Sequence, residues 1–164
     1  SKRSIRIFRK MGRYASSMID LINLGVEIGE TFHRDKLNDS WEPAAIAECN
    51  NNRYSSPENT LNGMAAEQYA IQYCNHVDDP RKYRDTTFNN LNIEHKSKVD
   101  TLAYPYKVNM SLELEKLKRK KLAGDIIGDY IICWRRTGRT YECESQWKWN
   151  GRGWKVIAGL AEAA

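Results

Sequence analysis

Among the side chains that can bind a metal or move a proton, the 164-residue sequence has three histidines and four cysteines. They are His33, His76 and His95, and Cys49, Cys74, Cys133 and Cys143. A structural zinc site takes four such ligands, commonly as close-spaced pairs. No Cys-x-x-Cys pair is present, and only His76, two residues after Cys74, has another ligand type nearby. One pair does not make a metal site, and His76 is expected to follow the end of a helix. Phosphate loops, dinucleotide fingerprints, His-Glu-x-x-His and nucleophile elbows are missing from the sequence. The remaining acid–base candidates are Asp125 and Asp129, flanking Ile126-Ile127-Gly128 at a strand entrance, where turn and capping chemistry accounts for them. No catalytic residue, metal site or cofactor is therefore assigned.

The informative chemistry is cationic. Lys2, Arg3, Arg6, Arg9, Lys10 and Arg13 all precede the first acid, Asp20. The rest of the chain holds 20 basic and 21 acidic side chains, so the N-terminal arm makes the protein basic at net +5. Lys2, Arg6, Arg9 and Arg13 have helical spacing. Such a stripe can track a phosphate backbone, with salt-sensitive and largely sequence-blind binding. Beside Ile5, Phe8 and Met11, the same stripe also suits an anionic membrane surface. A second cluster, Lys116, Lys118, Arg119, Lys120 and Lys121, surrounds Leu117. It reads equally as an anion site or as a solvated loop or edge that discourages strand pairing.

The length suits one domain able to bury a core without disulfides. The best candidate for a membrane span, 14–28, is interrupted by Ser16, Ser17, Asp20, Asn23 and Glu27. No secretory leader accompanies the sequons at Asn38 and Asn109, so the thiols are expected reduced and the compartment intracellular: cytoplasm, organelle matrix or virion interior.

Periodicity indicates what must position these groups. Phe8, Met11, Ala15, Met18 and Ile22 fall three or four apart. This predicts a helix over 4–37, weakened at Gly12, Gly25 and Gly29. Residues 38–56 read as loop. Ser56-Pro57-Glu58 combines a cap, a first-turn proline and an acid at a helix start, predicting a helix to about Asn75. Asp79-Pro80 repeats that grammar and predicts another through Leu91. From Tyr104 to Leu114 the apolar period becomes two, which predicts a strand.

Residues 129–161 predict an antiparallel meander. Tyr141, Cys143, Ser145, Trp147 and Trp149 would form one face of a half-buried strand. Asn150-Gly151 is a strong two-residue hairpin signal. It would pair Trp147 with Trp154, Ser145 with Val156 and Cys143 with Ala158. The preceding turn at 136–139 admits two registers. A two-residue turn buries Tyr130, Ile132 and Trp134. A three-residue turn buries Ile131 and Cys133 and brings Cys133 to the side of Cys143. The first is preferred because it buries more aromatic area.

The expected fold class is α+β, with N-terminal helices packed on a C-terminal antiparallel β-meander. Residues 1–37 would form a basic amphipathic helical arm and 38–164 a single domain. Helices followed by a meander closing on Gly153-Trp154-Lys155-Val156-Ile157 resemble the nuclear-transport-factor-like superfamily of cone-shaped α+β domains. That resemblance covers 56–159 and implies a curled sheet that serves enzymes, translocase components and plain binding domains alike. It carries no catalytic residue onto this sequence. The function expected is a non-enzymatic structural or adaptor subunit of a larger assembly, with protein partners and with RNA, DNA or an acidic surface held by the basic arm. The alternatives are a pocket-bearing enzyme or ligand-binding domain using Asp125, Asp129 or His76, and a peripheral protein on an anionic membrane surface.

Overall fold

The computed structural model describes residues 3–7, 24–51, 56–79 and 85–162. In chain order these form strands β1 (Arg3–Ile7) and β2 (Thr31–His33), a 3-10 turn (Arg34–Lys36), and helices α1 (Glu42–Asn51) and α2 (Pro57–Tyr73). Strands β3 (Val77–Asp78), β4 (Asp85–Phe88) and β5 (Leu91–Val99) follow, then helix α3 (Tyr106–Leu122). Strands β6 (Tyr130–Thr137), β7 (Thr140–Trp149) and β8 (Trp154–Glu162) end the chain. The strands make one strongly curled sheet in the order β1-β8-β7-β6-β5-β4-β3, with β2 added on β7. Every pair is antiparallel except β5–β6. A parallel pair needs a long crossover, and α3 supplies it. The class is α+β, and the sheet is mixed.

Helices cover both faces. On one face Ala65, Ala66 and Ala70 let α2 approach Ile93, Ile132 and Trp134. There Phe32 stacks between Tyr69 (centroids 4.3 Å) and Tyr141 (4.7 Å). On the other face Tyr106, Met110 and Leu117 of α3 pack on Ile127, Ile131 and Cys133, with Leu114, Trp147 and Trp154 around them. The start of α2 is the expected one: Ser56 Oγ accepts the Asn59 N–H at 3.1 Å, and Pro57 occupies the first turn.

The first meander turn has two residues, Gly138 and Arg139, with Thr137 opposite Thr140. Tyr130, Ile132 and Trp134 therefore face α2, as preferred. Ile131 and Cys133, the set for the other register, are equally buried, beneath α3.

The second turn differs from expectation. Trp149 is opposite Trp154, so the loop is the four residues Asn150 to Gly153. Asn150 Oδ1 accepts the N–H groups of Arg152 and Gly153, both at 2.9 Å. Of the Asn-Gly pair only Gly151 has positive φ, at 93°, whereas the two-residue turn requires both. The cross-strand aromatic pair is thus Trp149–Trp154, centroids 5.0 Å apart, and Trp147 lies opposite Val156.

Two bulges complete the correction. Glu144 is an extra residue between Cys143, opposite Trp134, and Ser145, opposite Cys133. Ile157 is extra between Val156 and Ala158, which faces Gln146 rather than Cys143. β7 is therefore not one alternating face. Cys143 lies in the core beneath α2 and Cys133 in the core beneath α3, and none of the four cysteines forms a disulfide.

Four other expectations change. Within 1–37, Arg3–Ile7 is a strand paired with β8, and 31–36 form β2 and the 3-10 turn. The helical periodicity of 8–23 lies outside the described residues. Residues 42–51 are helix rather than loop, with Pro43 in the first turn and Ala45 and Cys49 buried one turn apart. Of the helix expected from Asp79 through Leu91, residues 80–84 lie outside the described residues, and 85–91 instead form β4 and the start of β5, joined at Asn89-Asn90. Both asparagines have positive φ (49° and 65°), which a tight hairpin turn uses. Finally, 106–122 is helix. A period of two also places apolar residues at every fourth position, and Tyr106, Met110, Leu114 and Leu117 satisfy the helical repeat, while Val108 and Leu112 are exposed.

Candidate nucleic-acid interface

Of the cations singled out from sequence, Lys2, Arg9, Lys10 and Arg13 lie outside the described residues. Arg3 and Arg6 belong to β1, where their backbones pair with Glu162 and Gly159. Lys118, Arg119, Lys120 and Lys121 occupy the last turns of α3, not a loop or a sheet edge. This helix carries six cations and two carboxylates. Its last turn holds Arg119, Lys120 and Lys121, where the partial negative charge of the helix end favours them.

The crossover places that helix beside the β7–β8 hairpin. A Cβ added at Gly153 would lie 3.6 Å from Lys118 Cε, so the lysine stem runs along the hairpin loop. Between helix and hairpin is a groove of about 520 Å³. Ser111, Leu114, Glu115 and Lys118 line it from α3; Trp147, Arg152, Trp154 and Lys155 line it from the hairpin. Cations and half-buried indoles share one side of the molecule, and Arg119 and Lys120 are exposed.

Lys121 has a different environment. Its ammonium donates to the carbonyls of Ile127 (2.6 Å) and Gly128 (3.2 Å) and reaches Asp129 Oδ1 at 3.1 Å. It also lies 5.6 Å from the Trp149 ring and 5.8 Å from the Trp154 ring. Lys121 fastens the loop after α3 to the hairpin, and its donors are committed inside the fold.

The acid–base candidates do not converge. Asp125 is exposed, and Asp129 is 66% exposed beside Lys121. His76 follows α2, its backbone N–H donating to the Ala70 carbonyl at 3.1 Å. Its ring is buried in a polar chain that periodicity could not reveal. Trp134 Nε1–H donates to His95 Nδ1 (3.3 Å), and His95 Nε2 meets Thr86 Oγ1 (2.9 Å). Thr86 Oγ1 meets His76 Nδ1 (2.7 Å), and His76 Nε2 meets the Leu24 carbonyl (2.6 Å). An indole can only donate and a carbonyl can only accept. The two ends therefore assign one neutral tautomer to each histidine, with every hydrogen bond pointing from Trp134 toward Leu24. Burial holds both imidazoles below their ordinary pKa.

The thiols are quiet. Cys74 is pushed up to about 12, first by burial and then by Glu30, and burial raises Cys133 and Cys143 as well. Reactive cysteines need the opposite shift. Among the described residues no group of three or more His, Cys, Asp and Glu is placed to hold a metal ion, and no helix is long and apolar enough to cross a membrane.

Comparison of the chain with protein-family models, with curated proteins and with solved structures gives no match.

Proposed function

We propose that this chain is a non-enzymatic, nucleic-acid-binding subunit of a larger intracellular assembly. The observation that carries the reading is the groove between α3 and the β7–β8 hairpin, where Lys118, Arg152 and Lys155 stand around two half-buried indoles. Phosphates supply most of the attraction between proteins and nucleic acids, and lysine and arginine answer them. The N-terminal cations Lys2, Arg3, Arg6, Arg9, Lys10 and Arg13 would add a second contact to the same polyanion. Protein partners would meet the apolar side chains that α3 and the loop before it leave exposed: Leu102, Tyr104, Val108 and Leu112. The curled sheet is compatible with the nuclear-transport-factor-like superfamily, but that fold hosts many activities, so the surface bears the argument.

The test is an anisotropy titration of the full chain against generic RNA and DNA from low to physiological salt. Affinity should fall with salt, with a slope of about −0.9 per phosphate contacted on duplex DNA and about −0.7 on single strands. A variant carrying Lys118→Glu, Arg119→Glu and Lys120→Glu should lose most of that slope and keep its circular-dichroism spectrum and melting curve. Equal binding by both proteins refutes the role of the helix. Absence of binding by either, with flotation on anionic vesicles, would replace the reading with membrane attachment.

A further inference from the structure

We infer that the groove between α3 and the β7–β8 hairpin takes the unpaired bases of a single-stranded nucleic acid. This rests on the nucleic-acid reading above and goes further, naming the strand form and the contact. Trp147 and Trp154 line the groove and are only half buried. Both rings are held before any ligand arrives. Trp147 Nε1–H donates to Ser145 Oγ at 2.9 Å. Trp154 meets Trp149 edge to face, with an interplanar angle of 66°. Rings fixed in advance lose little freedom on binding.

The polar lining points the same way. Lys118, Arg152 and Lys155 surround an opening to which Glu115 contributes the one carboxylate among its lining residues. The occupant is therefore anionic and has flat apolar faces. A duplex shows phosphates outside and hides its base faces in the stack, so it could use only the cations. A single strand offers both, and stacking of bases on aromatic side chains along a cationic groove is tolerant of sequence. The volume, about 520 Å³, lies within the roughly 300–1,000 Å³ of small-molecule sites in general.

The experiment uses the full chain and three labelled oligonucleotides of equal length: oligo(dT), an abasic strand with the same phosphates, and a duplex. Affinity is read by anisotropy, and tryptophan emission is followed in parallel. Oligo(dT) should bind about tenfold more tightly than the abasic strand, since one stacked base contributes on that order, and should quench tryptophan emission. Trp154→Leu should reduce oligo(dT) to the abasic level with an unchanged circular-dichroism spectrum. Trp147→Leu, on the other strand of the hairpin, is the second variant and should do the same if Trp154→Leu does not fold. Equal, salt-dependent affinity for all three probes overturns this inference and leaves the nucleic-acid reading standing. No binding to any probe overturns both.

Discussion

Replacing Thr86 with Val keeps the shape of a fully buried side chain and removes one oxygen. That oxygen is the centre of the polar chain, accepting from His95 Nε2–H and donating to His76 Nδ1. The variant leaves one buried donor and one buried acceptor without partners. Each such group costs about 1–3 kcal/mol, so the loss should be about 2–6 kcal/mol. A domain is stable by only about 5–15 kcal/mol, which makes this a large share. In a chain of this length each kcal/mol lowers the melting midpoint by roughly 2–4 °C, so the expected drop is roughly 4–24 °C. The assay is urea and thermal unfolding followed by tryptophan emission, with Thr86→Ser as the control that keeps the hydroxyl. If Thr86→Val unfolds within about 0.5 kcal/mol of wild type, the size of an ordinary surface change, the hydroxyl is not the bridge and the tautomer assignment falls with it.

Burial holds His76 and His95 below their usual value near 6.5. The folded chain therefore binds fewer protons than the unfolded one once pH falls under that value. Stability should be full above it and decline on acidification, by up to about 1.4 kcal/mol per pH unit for each histidine. His95→Gln should flatten that decline in urea titrations across the window, and an unchanged slope would remove His95 from the account. Gly151→Val should lose about 1–2 kcal/mol on thermal unfolding, because φ is 93° there while a Cβ would meet nothing within 4 Å, so backbone strain alone acts. Gly128→Ala should cost more than Gly151→Val, since its Cβ would lie 2.7 Å from the Asn92 carbonyl oxygen; the reverse order in parallel melts would contradict the packing of that loop against β5. Lys121→Met should cost about 1.5–3 kcal/mol through the charge-assisted hydrogen bonds it removes, and a neutral result would show that the ammonium does not fasten the loop.

What was legible in the sequence was local. Ser56-Pro57-Glu58 announces the start of α2 because capping chemistry sits within four residues. Tyr130, Ile132 and Trp134 were placed correctly, yet by an argument about one buried face, whereas Ile131 and Cys133 are just as buried on the other. α3 was misread because alternation and a four-residue repeat select the same positions, Tyr106, Met110 and Leu114. The Asn89-Asn90 turn is hidden because Pro80, nine residues before Asn89, suggests a helix. The cluster Lys118 to Lys121 was visible as charge, but nothing local says that a crossover helix will lay it against Trp147 and Trp154. The histidine chain joins residues from three strands and the segment after α2, contacts that no periodicity encodes.

The bulge at Glu144 connects the fold to the proposed site. Before it, Tyr141 and Cys143 point into the core beneath α2; after it, Ser145 lies opposite Cys133, and Trp147 packs against α3. Strict alternation along β7 would have put Trp147 and Trp149 on the same face as Tyr141, among uncharged aromatic rings and away from the lysines of α3. One extra residue re-aims the rest of the strand, as bulges beside functional sites do. The second bulge, at Ile157, lets Trp154 and Val156 keep to the same side as Trp147 while Ala158 returns to the core beneath α2. Apolar rings and cations meet in one groove because two inserted residues divide the strands between the faces of the sheet. The same division leaves the α2 side free to bury a neutral polar chain, where a nearby ammonium would have disturbed the tautomers that hold it.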